Sequence, residues 1–434
     1  MGIAITAILI ASMFALLAAG LWIGLSLTGV GWIAMELFSD RPVGNLMANK
    51  IWESASAWTL TALPLFIWMG EILFRSKLSQ DMFRGLAPWM SRLPGRLLHT
   101  NIVGCTIFAA ISGSSAATCA TIGKITIPEL RGRGYPEKMI VGTLAGAGTL
   151  GLLIPPSIIM IVYGVTAEVS IAQLFIGGVL PGLLLAALFS GYVVVWSLLN
   201  PRAIPDDQSR MTLAEKIKAA KHLIPAVVLI MMVLGSIYAG IATATESAAL
   251  GVLGALVLSA VQGSLDWKTF REALLGATRL SCMIALILAG AAFLTLAMGV
   301  TGLPRALALW IDSLNLSIYG LIFALTIFFI VLGCFLDGIS MVVLTMAVLL
   351  PTVERAGIDL IWFGIFIVLV VEMAQITPPV GFNLFVLQGM TGRQITYIAW
   401  AAFPLFLLMC IAVILVTVFP EIVTYLPQHM VATK

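Results

Sequence analysis

Two adjacent prolines interrupt an apolar stretch twice in this chain, at one constant offset. Pro155-Pro156 lies within Leu150-Gly151-Leu152-Leu153-Ile154-Pro155-Pro156-Ser157, and Pro378-Pro379 within Ala374-Gln375-Ile376-Thr377-Pro378-Pro379-Val380-Gly381. The pairs stand 223 residues apart, as do Pro128 and Pro351, and Gly134 and Gly357. Each proline lacks an N–H and clashes with the preceding turn, so a helix does not pass through the pair unbroken. Two membrane halves, each with an interrupted span in the matching place, are the pattern of a secondary transporter built from repeats.

Composition supplies the membrane. The chain is 61% hydrophobic and 10% charged, against roughly 25% charged in soluble domains, and its mean hydropathy is +1.09. The runs Leu60 to Phe74, Ile171 to Leu199, Leu223 to Ala239, Ser281 to Met298 and Tyr397 to Phe419 approach or exceed the ~20 residues that cross a bilayer. A soluble helical protein is excluded. The net charge of +3, without a basic cluster interleaved with aromatics, gives no sign of a nucleic-acid partner. The five cysteines, Cys105, Cys119, Cys282, Cys334 and Cys410, lie in apolar segments with no C-x-x-C pair. They read as small hydrophobes, not as disulfides or metal ligands. The first apolar segment has no basic residue ahead of it and no evident cleavage site, so it reads as a span and not a signal peptide.

Loop charges orient the spans. One side receives Arg75, Lys77, Arg84, Arg92, Arg96, Arg131, Arg133, Lys138, Arg202, Arg210, Lys216, Lys218, Lys221, Lys268, Arg271, Arg279 and Arg393, seventeen in all. The other receives Arg41, Lys50, Arg305, Arg355 and Lys434, five in all. Basic residues gather in the cytoplasm, so the first set faces in and the C-terminus is expected to be periplasmic.

That alternation requires two apolar stretches not to cross. His99 to Pro128 has basic flanks at both ends and the small, polar middle Ile111-Ser112-Gly113-Ser114-Ser115-Ala116-Ala117-Thr118. It is expected to enter as a hairpin, turn at Ser112–Ser115 and return. Ser317–Pro351 follows suit from the opposite side, around Gly333-Cys334-Phe335-Leu336-Asp337-Gly338-Ile339-Ser340. The expected fold class is therefore an all-α polytopic membrane protein of inverted repeats, each with a re-entrant helical hairpin and a broken helix. Residues 1–52 hold N-terminal scaffold span(s). Repeat 1 covers 53–200, with hairpin 98–128 and broken helix 139–164. Residues 201–279 hold an interfacial arm helix around Leu213, Ile217 and Ala220 and scaffold spans. Repeat 2 covers 280–434, with hairpin 317–351 and broken helix 362–388.

Irregular backbone at membrane depth must be buried in protein or line a wet cavity, so tips and breaks become site candidates. No nucleophile triad, metal cluster or phosphate loop is visible, and His99, His222 and His429 do not cluster. The chain is expected not to be an enzyme and to carry no cofactor. Hydroxyls, carboxylates and carbonyls freed from helical bonding suit a hard cation. Ser112 and Ser115 with Gly148, Thr149, Gly151 and Pro155 form one candidate cation site. Gly333, Asp337 and Gly338 with Met373, Gln375 and Thr377, in the stretch Glu372–Pro378, form its inverted counterpart. Simpler roles stand beside these. Ser112–Ser115 can serve close helix packing, and a proline pair can be a kink alone. Intramembrane carboxylates are functional candidates by default, with Asp337 first and Glu372 beside the second break. Glu71 can pair with Arg75 at i,i+4, Lys124 can snorkel, and Glu246 can start a helix or lie at the surface.

The segments Gly113-Ser114-Ser115-Ala116-Ala117-Thr118, Ile127-Pro128 with Arg133-Gly134-Tyr135, and Gly148 through Ser157 resemble the large membrane subunit of TRAP (tripartite ATP-independent periplasmic, DctM-like) transporters. So do Phe175-Ile176-Gly177-Gly178 with Pro181-Gly182, and Thr377 through Leu384. The likeness covers nearly the whole chain. Ala347 and Ser247 depart from residues common in that family, away from the candidate sites.

The resemblance implies an elevator mechanism and sodium-coupled uptake of an organic acid, with Na+ as coupling ion at the positions above. It implies a solute delivered by a periplasmic binding protein, and a small membrane subunit of about four helices, expected here as a separate chain. It places the protein in the bacterial inner membrane. Ser114, Thr118, Pro156, Ser157, Pro379 and Asn383 become the expected substrate residues, because hydroxyls and helix N-termini suit an anionic carboxylate. A self-sufficient symporter or antiporter of similar fold, or an ion channel, are the alternatives.

Overall fold

The structure is a computed structural model. It describes residues 2–205, 212–302, 309, 316–334, 336–379 and 381–430. Arg210, Arg305, Phe335, Val380 and Lys434, and with Lys434 the orientation of the C-terminus, lie outside the described residues.

The chain opens with α1 (Gly2–Ala18), α2 (Ile23–Phe38) and α3 (Val43–Ala55). After a 52° bend follows the segment Trp58–Phe74, with α4 at Ala62–Phe74, and then α5 (Leu78–Met90). Next come α6 (His99–Ser112), α7 (Ser115–Gly132), α8 (Glu137–Leu153), α9 (Ile158–Thr166) and α10 (Ile171–Leu199). The middle holds α11 (Leu213–Tyr238), α12 (Ala244–Val261) and α13 (Trp267–Thr301). The second half holds α14 (Ile318–Gly333), α15 (Gly338–Arg355), α16 (Leu360–Gln375), α17 (Phe382–Thr391), α18 (Ile395–Val418) and α19 (Glu421–Gln428). Among the described residues, six helices are long and apolar enough to cross a membrane, and up to eight spans result if each bent pair is one.

Both hairpins form where the small, polar middles lie. Gly104 and Ile122 are each nine residues from Gly113 and meet across α6 and α7, so the arms run antiparallel. In the second hairpin Gly333 packs against Met341. Both helix breaks form too. α8 stops at Leu153 and α9 restarts at Ile158 with a 40° bend. α16 stops at Gln375 and α17 restarts at Phe382. The Pro155–Pro156 and Pro378–Pro379 peptide bonds are both cis.

The offset of 223 is a structural repeat. It carries both ends of α7, Ser115 and Gly132, onto both ends of α15, Gly338 and Arg355. It carries the start of α8 onto the start of α16. It carries Gly134 (φ +81°) onto Gly357 (φ +70°), each in the left-handed conformation that lets the chain leave its hairpin.

The two copies are inverted. Glu137, where α8 begins, pairs with Arg393, just past the end of α17. At the opposite end the Tyr163 hydroxyl of α9 donates to the carbonyl of Leu360, where α16 begins, at 2.7 Å. One broken helix therefore starts where the other finishes. Their first halves form the core: every residue from Met139 to Leu153 and from Trp362 to Gln375 is buried. Gly142 and Gly146 let α8 press against Ala401 and Leu405 of α18, the small-residue packing of membrane helices. By contrast α11 and α12 leave most of their apolar surface uncovered by the chain itself.

Several boundaries differ from the sequence expectation. Leu213–Ala220 forms a short helix. It runs on through the 3-10 turn Lys221–Leu223 into the apolar segment that follows, with Leu223 and Ala219 seated against Gly85 of α5 and Lys216 buried. The basic stretch 263–279 is mostly helix, since Asp266 caps α13 and the helix continues unbroken for 35 residues. The divisions at 52 and 279 thus fall inside α3 and α13. Residues 75–97 include α5, held against α6 and α11. Glu71 does pair with Arg75, and Glu246 forms a capping box with Thr243 at the start of α12.

Candidate functional site

The first hairpin turns on Gly113, whose φ of +63° is costly for any residue with a Cβ. Ser114 is extended and caps α7 by accepting the Ala117 N–H. The Ser112 and Thr118 hydroxyls lie 2.6 Å apart across the turn, and Ser112 also donates to the Ser114 carbonyl at 3.3 Å. Ser115 is buried beside them.

This tip lies directly on the first break. The Gly113 carbonyl accepts the Ile158 N–H at 3.2 Å, satisfying one of the donors left open at the start of α9. A Cβ on Gly113 would fall 2.8 Å from the Pro156 carbonyl oxygen. A Cβ on Gly151 would fall 2.5 Å from the Ser114 carbonyl oxygen and 2.7 Å from the Thr118 hydroxyl. Gly148 is equally close to Cys119. Glycines thus bring the end of α8 into backbone contact with the tip. Ser157 is buried and caps α9 through the Met160 N–H.

The prolines decide which carbonyls are free. A helical carbonyl accepts from the N–H four residues on. For Gly151 and Leu152 those residues are Pro155 and Pro156, and for Ala374 and Gln375 they are Pro378 and Pro379. None of the four has an N–H to give. Ala374 recovers a bond from the Thr377 N–H.

The second tip is built alike, with different groups. Asp337 stands 223 residues after Ser114 and also caps its helix. Its carboxylate accepts the Ile339 and Ser340 N–H groups at 3.1 and 3.2 Å and the Ser340 hydroxyl. The Cys334 thiol donates to the Pro378 carbonyl at 3.3 Å, tying tip to break. Gly338 faces Val371, Gln375 and Ile159, and Gly333 faces Ala374. The Thr377 hydroxyl donates to the Met373 carbonyl at 2.7 Å.

Most of the residues picked from sequence meet in these two clusters. Ser112, Ser114, Ser115, Thr118, Gly148, Gly151, Pro155, Pro156 and Ser157 gather at the first. Gly333, Asp337, Gly338, Gln375 and Thr377 gather at the second. Three are placed otherwise. The Thr149 hydroxyl is spent within its own helix, on the Gly146 carbonyl at 2.6 Å. The Met373 carbonyl is occupied by Thr377. Asn383, the second residue of α17, is fully buried, and neither amide atom has a partner among the described residues. The clusters also differ in access: Pro155, Pro156 and Ser157 are buried, whereas Asp337, Pro378 and Pro379 are exposed. Sequence reading missed Ser340, signalled only by its i,i+3 relation to Asp337, and the Glu137–Arg393 pair.

Chemically, each break sets a helix C-terminus, with its negative partial charge, next to a new helix N-terminus. Hydroxyls and freed carbonyls suit a hard monovalent cation, and the N-termini of α7 and α9 at the first tip suit an anion.

The family profile described as "Tripartite ATP-independent periplasmic transporter, DctM component" matches residues 10–422. This chain belongs to the DctM family of TRAP transporters. It is a transporter component and not an enzyme. The C4-dicarboxylate TRAP transporter large permease protein DctM of Pseudomonas aeruginosa is 32% identical over 92% of this chain and 93% of its own length. The isethionate TRAP transporter permease protein DctMQ of Oleidesulfovibrio alaskensis is 31% identical over 96% of this chain, which spans 64% of that longer protein. The crystal structure of the YdaH transporter of Alcanivorax borkumensis shares the fold, with a TM-score of 0.61 at 14% identity over 86% of this DctM chain and 87% of its own.

Proposed function

We propose that this chain is the large permease of a sodium-coupled importer for a small organic acid, working by an elevator movement of its hairpins and broken helices. The observation that carries this reading is the docking of each hairpin tip on a helix break, where the prolines free carbonyls beside hydroxyls or a carboxylate. The residues that would hold sodium are Ser112, Ser115 and the Gly148–Pro155 stretch at one break, and Asp337 with the Met373–Thr377 stretch at the other. The coupling ion would supply positive charge next to the bound anion. The anion itself would be met by Ser114, Thr118, Ser157 and the N-termini of α7 and α9. Pro156, Pro379 and Asn383 complete the proposed substrate set.

The word tripartite in the family description supports two partners, a periplasmic binding protein that delivers the solute and a small membrane subunit. The fused name of the isethionate relative supports a small membrane subunit as a partner. The names of both relatives support a small organic anion, and we take a carboxylate as its class. The loop-charge imbalance supports insertion in the bacterial inner membrane with the C-terminus in the periplasm.

Liposomes holding this chain, its small subunit and the cognate solute receptor test the reading. An inward sodium gradient should drive solute accumulation, and equimolar potassium or choline should not. Equal uptake without sodium would contradict the coupling. Equal uptake without the receptor would favour a self-sufficient carrier, and flux far above carrier rates a channel.

A further inference from the structure

We propose that Glu372 anchors a further monovalent-cation site where α8 crosses α16, on the face of α16 turned away from the second hairpin tip; this deepens the sodium-coupled reading and rests on it. Glu372 is fully buried, and neither carboxylate oxygen has a hydrogen-bond partner among the described residues. No described lysine, arginine or histidine forms an ion pair with it. Among the described residues, the polar groups nearest it are the backbone N–H groups of Leu152 and Leu153, in the last turn of α8.

The faces of α16 separate this position from the second cluster. Val371 and Gln375, one turn apart, look towards Gly338, and Ala374 looks towards Gly333. Glu372 points instead across the repeat boundary to α8. Its counterpart 223 residues earlier is Thr149, whose hydroxyl is satisfied inside its own helix. The fold therefore does not require a charge here, and only one copy has it.

The electrostatics of the crossing favour a cation. α8 and α16 both end within a few residues of the contact, so two negative helix C-termini converge on a carboxylate. The same last turn of α8 contains Leu152, whose carbonyl lost its helical donor to Pro156. A carboxylate without a partner, at the negative ends of two helices, suits a hard cation. No group of three or more acidic, cysteine or histidine side chains that could hold a metal occurs among the described residues, so one carboxylate balances one positive charge. The ligand class is thus monovalent, with sodium as the probe.

The test counts bound sodium on the purified complex of this chain with its small subunit, using radioactive sodium with choline as the replacement cation. Glu372→Gln keeps shape and removes the charge. The expected result is one sodium fewer per chain, with the remaining sites still filling. An unchanged count and affinity would overturn the proposal, and this includes the case in which the carboxyl carries only a proton. If Glu372→Gln does not fold, Glu372→Asp decides. It should keep the count while weakening one site, and wild-type affinity at every site would overturn the proposal. A wild-type complex that binds no sodium would instead overturn the sodium-coupled reading itself.

Discussion

Glu137 and Arg393 form a two-contact ion pair, Nε to Oε1 at 3.1 Å and Nη2 to Oε2 at 2.6 Å, between the first residue of one broken helix and the segment just past the end of the other. Arg131, at the end of the first hairpin, joins the same carboxylate. Three elements from two repeats are thereby pinned at one face, while Tyr163 and Leu360 pin the opposite end. Two half-helices that meet at a break can form one site only if their outer ends stay registered, and these contacts hold that register.

Arg393→Gln should therefore loosen the register without unfolding the protein. Exposed pairs contribute little singly, and this one contributes more than most because it is two-pronged and shared. We expect a small fall in melting temperature for Arg393→Gln and for Glu137→Gln, and a double variant no worse than the worse single one. Additive losses would show that the two residues act separately.

The same pair carries a pH dependence. The Arg393 and Arg131 guanidiniums hold the Glu137 carboxyl, in the polar stretch ahead of the apolar span, down from its ordinary 4.5 to about 2. A depressed folded value means the stabilisation is whole above about 4.5 and is lost as pH falls towards 2. The melting-temperature gap between wild type and Glu137→Gln should be constant at neutral pH and narrow over that window. A gap that widened on acidification would contradict the pairing.

Gly151→Ala should push the first hairpin tip off its break, since the new methyl would meet the Ser114 carbonyl and the Thr118 hydroxyl. Gly191→Ala, on the open face of α10 with nothing within 4 Å, is the control. We expect the first to raise the sodium concentration needed for half-maximal uptake, and the second to leave it unchanged. Equal behaviour would mean the tip and break need not touch.

Asp337 has two roles that one substitution confounds. Asp337→Ala removes both the charge and an N-cap worth about 1 kcal/mol, whereas Asp337→Ser keeps a capping oxygen. Sodium-dependent uptake should fail in both, with only the alanine variant also losing melting temperature. Wild-type uptake by Asp337→Ser would reduce the residue to a cap.

Much of the architecture was legible because prolines and glycines act locally. A proline pair breaks a helix whatever surrounds it, and Gly113 turns a hairpin because of its own φ. The end-to-end match of α7 with α15 follows from one offset visible in the residues. What escaped depended on tertiary partners. The charges of 263–279 look like a loop until α13 is seen to project beyond its apolar part. The seating of Ala219 and Leu223 on Gly85 of α5 is likewise invisible in their segment's own residues. α5 itself is short, charged and contains Pro88, so its amphipathic face has meaning only against α6 and α11. At the site, the acidity of Asp337 was readable but its capping bonds were not, and the isolation of Glu372 appears only once α8 lies across it.

The inverted hairpins are tested most directly by which side of the membrane their ends reach. Single cysteines at Leu93 and Gly132, both exposed, would be placed in a background lacking exposed Cys282 and half-buried Cys334 and Cys410. Membrane-impermeant maleimide should label both from the cytoplasmic side, and cysteines at Leu316 and Arg355 both from the periplasmic side. Labelling of Leu93 and Gly132 from opposite sides would mean that the first hairpin crosses the bilayer, and the paired-break site would not exist.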